Sequence, residues 1–124
     1  MRAEEAYELE RQYYESKMKE INKNENQKTI CEWAKGVFGT QGSDIELLKK
    51  KLKEECNEFF EELYSNKTTK KQCLNECADI YIVLVQLVDA LGGNLQDEVD
   101  TKMAINRVRK WEFINGVFKH KNYE

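Results

Sequence analysis

The run LNECADIYIVLVQLVDAL, residues 74 to 91, decides the fold. Wound at about 100° per residue it is apolar on nearly every side, so it has to be the central, most enclosed helix of a bundle. Three carboxylates, Glu76, Asp79 and Asp89, break the pattern. Glu76 and Asp79, at i and i+3, share one face with Ile80, Val83 and Leu87. Left unpaired in a core, such groups either carry a heavy desolvation cost as ions or take up protons. No Lys or Arg occurs between Lys71 and Lys102, so a compensating positive charge has to come from another segment or from a bound cation.

The preceding stretch, LKEECNEFFEEL at residues 52 to 63, belongs to a helix capped by Ser43 or Asp44 and ending near Tyr64. Ile45, Leu48, Leu52, Cys56, Phe59 and Leu63 fall in one arc. Glu55 borders that arc, Glu58 lies one step further round with Glu62 between them, and Glu54 and Glu61 point more toward solvent. SNKTTK, residues 65 to 70, is a short polar turn in which Thr69 can cap the next helix. A turn this short favours antiparallel packing, which lets Glu55 and Glu58 face Glu76 and Asp79. Four carboxylates converging from two helices are hard oxygen ligands of the kind that suit Mg²⁺ or Mn²⁺. The competing reading makes Glu55 and Glu58 surface partners of Lys51 and Lys53. It explains Glu76 and Asp79 less well.

The rest of the chain fits an all-α bundle of four to five helices. Its 124 residues suffice for one core, 35% of them are charged, and there is no Pro. Glycines gather at GVFGTQGS, residues 36 to 43, and at Gly92 and Gly93, which read as connections. A charged segment over about residues 1 to 24 reads as a helical extension with a weak apolar stripe; a helix from Gln27 to Phe38 comes next, and a last helix runs from near Leu95 to about Trp111. The expected division is residues 1–25 as extension, 26–112 as the functional domain and 113–124 as a polar tail carrying the single histidine, His120. Cys31, Cys56, Cys73 and Cys77 lack a CxxC spacing or a nearby histidine, and read as small buried hydrophobes. The formal charge of −3, with both signs interspersed, argues against duplex nucleic acid as partner. The absence of a long apolar run argues against a membrane span and makes a cytoplasmic protein the default.

EECNE at residues 54 to 58 and ECAD at residues 76 to 79 form an EExxE and ExxD pair separated by 17 residues, with KMAINRVRKW at residues 102 to 111 downstream. This arrangement resembles the MazG-like all-α nucleoside triphosphate pyrophosphohydrolase superfamily over roughly residues 27 to 112. WAKGVFGTQGS and KMAINRVRKW look most like the small phage and bacterial members that act on dATP and dGTP. The resemblance implies Mg²⁺, with Mn²⁺ as an alternative, bound by Glu55, Glu58, Glu76 and Asp79, with Glu54 part of the acidic cluster. It also implies a (deoxy)nucleoside triphosphate as substrate and a homo-oligomer, dimer or tetramer, in the cytoplasm, or in that of the host if the protein is phage-encoded.

On the last helix Lys102, Asn106 and Arg109, at i, i+4 and i+7, offer a row of donors for phosphate oxygens, or else are solvated surface groups. The expected reaction is hydrolysis between the α- and β-phosphates, with Glu54 or Glu58 accepting the proton of the attacking water and no covalent nucleophile. Trp33 and Phe38 are candidate stacking surfaces for the base, with core packing as their ordinary role. A pyrimidine-directed dUTPase or dCTPase type is the alternative within the enzyme class. A non-catalytic helical interaction module is the alternative outside it.

Overall fold

The computed structural model describes residues 3–18, 21 and 23–121. They fall into two compact units, Met1–Gly93 and Asn94–Glu124.

The first unit is organised on an αα-hairpin. Helix α3, Ile45–Tyr64, starts where the Asp44 side chain accepts a hydrogen bond from the Leu47 backbone N–H at 3.0 Å, and Glu46 in the first turn complements the helix dipole. It ends as Ser65 turns extended. Helix α4, Lys70–Ala90, begins with a reciprocal cap in which the Gln72 N–H donates to the Thr69 hydroxyl and the Thr69 N–H donates to the Gln72 side-chain carbonyl oxygen. At its end Gly92 takes φ +83°, a conformation costly for any residue with a Cβ, and Gly93 N–H returns to the Val88 carbonyl at 3.0 Å. α3 and α4 make the most extensive contact between helices. α4 also carries the most buried residues of any helix, Gln72, Val83, Val85 and Gln86, in keeping with its apolar circumference, although Leu74 and Tyr81 stay exposed.

Helix α2, Gln27–Phe38, is capped by Asn26 in reciprocal bonds with Thr29 and lays Ile30 and Ala34 into the core. Its start is tied to the end of α4, since Gln27 Nε2 donates to the Gly93 carbonyl at 2.8 Å and to Asp89 Oδ1 at 3.2 Å. Cys31 Sγ meets the Val85 carbonyl at 3.7 Å; burial, reinforced by Asp89, pushes its thiol up to about 11, which leaves it inert. All four cysteines are free. The glycine-rich connection forms a short 3₁₀ turn, Gly39–Ser43, that folds back on α2 so closely that a Cβ on Gly42 would lie 3.0 Å from the Ala34 carbonyl oxygen. Helix α1 spans Ala3–Lys17, shorter than the expected extension to residue 24; residues 19, 20 and 22 lie outside the described part of the chain.

In the second unit, helix α5, Leu95–Val108, is capped by Asn94 and opens with Asp97 and Glu98. It stops three residues before the expected Trp111, because Arg109 is already extended (φ −70°, ψ 147°). The chain then forms a β-hairpin instead of a plain tail: β1, Trp111–Ile114, pairs antiparallel with β2, Val117–His120. Asn115 and Gly116, both at positive φ, make the turn, as hairpins joined by two residues require. His120 therefore sits in a strand, edge-on to Trp111 with ring centroids 6.0 Å apart. The expected boundary at residue 112 falls within β1, and residues 122–124 are outside the described part. Among the described residues no single helix is long and apolar enough to cross a membrane.

Candidate metal centre

The hairpin of α3 and α4 brings Glu55, Glu76 and Asp79 together, with one carboxylate oxygen from each within 4.8 Å of the others. Glu55 is only 6% exposed, deeper than the border position its helical projection gives it. Glu58 is half-buried on the same helix but outside that trio, and Glu54 is exposed.

Lys51 brings a positive charge to the cluster. Placed one turn before Glu55, it sets Nζ 3.0 Å from Glu55 Oε1 and 3.8 Å from Glu54 Oε2. Both readings of Glu55 are thus partly realised: it pairs with a lysine, and it also joins the inward carboxylates of α4. One ammonium does not balance the set. Glu55 Oε2 and Glu76 Oε2 are buried without a hydrogen-bond partner, a deficit that a divalent cation removes.

Titration behaviour reflects this crowding. Burial, then the negative charge of Asp79, Glu58, Glu55 and Glu62, pushes the Glu76 carboxyl up to about 7. Asp79 is raised by burial and by Glu55, with Lys51 opposing. Glu58 is raised by burial, then by Glu55 and Glu54. The Lys51 ammonium is held above its usual range chiefly by its hydrogen bond to Glu55. A hard-oxygen set with orphaned oxygens and suppressed acidity fits Mg²⁺ or Mn²⁺, and among the described residues no cysteine joins the trio.

A cavity of about 510 Å³ adjoins Glu76 and Asp79. Glu62 of α3 and Lys71, Gln72 and Asn75 of α4 line it, as do Tyr7, Arg11 and Tyr14 of α1. By sequence α1 reads only as an appendage, yet Tyr7, Arg11, Tyr14 and Met18, spaced i, i+4, i+7 and i+11, already form a single stripe. Trp33 and Phe38 pack edge-on against each other at 5.7 Å, both about half exposed, and neither lines this cavity.

Lys102, Asn106 and Arg109 belong to the second unit. Lys102 is exposed. Asn106 is half-buried, its Nδ2 facing Met103 Sδ at 3.9 Å, while Trp111 Nε1 donates to its backbone carbonyl at 3.0 Å. Because Arg109 is the residue that leaves α5, the helical spacing that aligned it with the other two ends before it.

An all-α chain with an acidic cluster across a helical hairpin defines a metal-binding helical protein, and comparison with known proteins narrows the class. The family model described as MazG-like matches residues 44–124, and the chain belongs to the MazG-like family. Among solved structures it is similar to a cyanophage S-2L MazG-like pyrophosphohydrolase bound to dGDP and three catalytic Mn²⁺ ions per active site. The identity is 26% and the TM-score 0.59, over 77% of this chain and 93% of that one. No curated protein matches the chain.

Proposed function

We propose that this protein is a nucleoside triphosphate diphosphatase that hydrolyses a (deoxy)nucleoside triphosphate to the monophosphate and pyrophosphate. The observation that carries the reading is the meeting of Glu55, Glu76 and Asp79 from two helices, with two of their buried oxygens lacking a hydrogen-bond partner. Family membership and the similarity to a pyrophosphohydrolase support it.

Glu55, Glu76 and Asp79 hold the divalent ion, Mg²⁺ or Mn²⁺, with Glu58 and Glu54 completing the acidic set. When bound, such an ion neutralises phosphate charge and eases deprotonation of water. The chain's own part is to orient and to move a proton. Lys51 fixes the Glu55 carboxylate through its 3.0 Å contact. Glu58, half-buried on α3 outside the trio, suits the role of accepting the water's proton; Glu54, exposed and beside Lys51, suits it less. Lys102, Asn106 and Arg109 have the donor chemistry to bind phosphate oxygens.

Purine deoxynucleotides are the preferred substrates in this reading, supported by the dGDP bound in the cyanophage protein. Exposed Phe60, Leu63, Leu74 and Leu91 favour self-association to at least a dimer. The test is a panel of the common (d)NTPs with Mg²⁺ or Mn²⁺, scored for pyrophosphate. Release from dATP and dGTP supports the purine reading. Release confined to dUTP or dCTP transfers the assignment to pyrimidines, and silence with every nucleotide and both metals removes the enzyme reading.

A further inference from the structure

The family match begins at residue 44 and leaves α1 outside it, yet α1 lines the cavity beside the acidic cluster. We propose that α1 is a wall of the nucleotide site, with Arg11 binding the phosphate chain and Tyr7 and Tyr14 flanking the nucleoside; this rests on the diphosphatase reading above.

Three features carry it. The cavity, at about 510 Å³, falls within the size range of small-molecule sites; Glu62, Glu76 and Asp79 line it from α3 and α4 together with the Lys71 ammonium, and Tyr7, Arg11 and Tyr14 line it from α1 beside Glu10 and Glu15. A substrate gripped through an ion at Glu76 and Asp79 still carries phosphate oxygens that the ion leaves free. Arg11 is the α1 cation lining that space. Its present partners are weak ones: Nη2 lies 3.3 Å from Glu8 and Nε 3.6 Å from Glu15, both side-chain pairs partly exposed, while the Nε atom itself is buried without a hydrogen-bond acceptor. Exchanging such surface pairs for a phosphate, which accepts charge-assisted and bidentate bonds, is favourable. Tyr7 and Tyr14 stand on either side of Arg11 along the same stripe, so rings and guanidinium face one ligand together.

The experiment measures KM and kcat for the best nucleotide of the panel, inhibition by inorganic tripolyphosphate, and Mn²⁺ affinity by calorimetry. Arg11→Ala is expected to raise KM and weaken tripolyphosphate inhibition by about tenfold or more, the loss typical of one hydrogen bond to a charged group. It should leave Mn²⁺ affinity unchanged, and Arg11→Lys should recover part of the loss. Tyr7→Leu combined with Tyr14→Leu should raise KM while sparing tripolyphosphate, which has no nucleoside. Gln12→Ala, exposed on the same helix, is the control expected to match wild type. Normal KM and normal inhibition in Arg11→Ala overturn this proposal alone, as does a KM that falls, which would make α1 a shield over the site. Wild-type protein inactive on every nucleotide overturns the diphosphatase reading and this one with it.

Discussion

Glu76 concentrates the chemistry of the acidic cluster. In the metal-free protein its carboxyl sits at about 7, above the ordinary 4.5, so the fold favours the protonated form. Its contribution to stability is therefore fully present below 4.5 and is lost as pH rises through about 7; Asp79 and Glu58, both shifted upward, act in the same direction. Metal-free protein should accordingly melt at progressively lower temperature between about pH 5 and pH 8, and Glu76→Gln should flatten that slope while abolishing pyrophosphate release. An unchanged slope in the variant would contradict the assignment of strain to Glu76. Lys51 gives a complementary case. Lys51→Met removes the ammonium paired with Glu55, and should cost the metal-free protein about 1 kcal/mol or less, given how exposed the lysine is. Saturating Mg²⁺ should restore most of that loss in a thermal melt. Glu76 and Asp79 are legible in the sequence, because two acids sharing a face with Ile80, Val83 and Leu87 demand compensation. Their depth was not: a helical projection places Glu55 on an edge, and only the packing of α4 against it turns that edge into interior.

Caps at Asp44 and Thr69 are readable in the sequence, and the structure adds Asn26 and Asn94. Asn26, Asp44, Thr69 and Asn94 each accept a backbone N–H at a helix start, and local chemistry of that kind is written in a few adjacent residues. The end of α5 escaped for the opposite reason. Tracing the helical period through RVRKW carried the helix to Trp111, whereas the Asn-Gly pair within WEFINGVFKH, flanked by aromatic and β-branched residues, is the stronger local signal and makes a hairpin. Arg109, extended at that end, leaves the helical row that a longer α5 would give it. Between elements, one buried amide, that of Gln27, joins the start of α2 to the end of α4. Gln27→Ala should cost about 1–2 kcal/mol by removing hydrogen bonds to Gly93 and Asp89. Chemical denaturation would read this as a lower midpoint with an unchanged slope; no shift would mean that the tie is incidental.

In the proposed reading, the acidic cluster lowers the stability of the fold at neutral pH and a bound ion restores it. The carboxylates of Glu55, Glu76 and Asp79 repel one another, and an ion that binds the folded form alone relieves that repulsion and raises the melting temperature with concentration. Self-association obeys a different logic. So many large apolar side chains remain exposed, Phe60, Leu63, Tyr64 and Leu74 among them, that light scattering is expected to give at least the mass of a dimer; a strict monomer at high concentration would contradict that reading. All of the proposed chemistry depends on these three carboxylates holding the ion through which a nucleotide is cleaved. The decisive experiment is pyrophosphate release from dATP and dGTP with Mg²⁺ or Mn²⁺, measured beside Glu55→Gln, Glu76→Gln and Asp79→Asn. Turnover is expected in the wild type, with none after chelation and none in the three folded variants. Normal turnover in any two of those variants would refute the metal assignment.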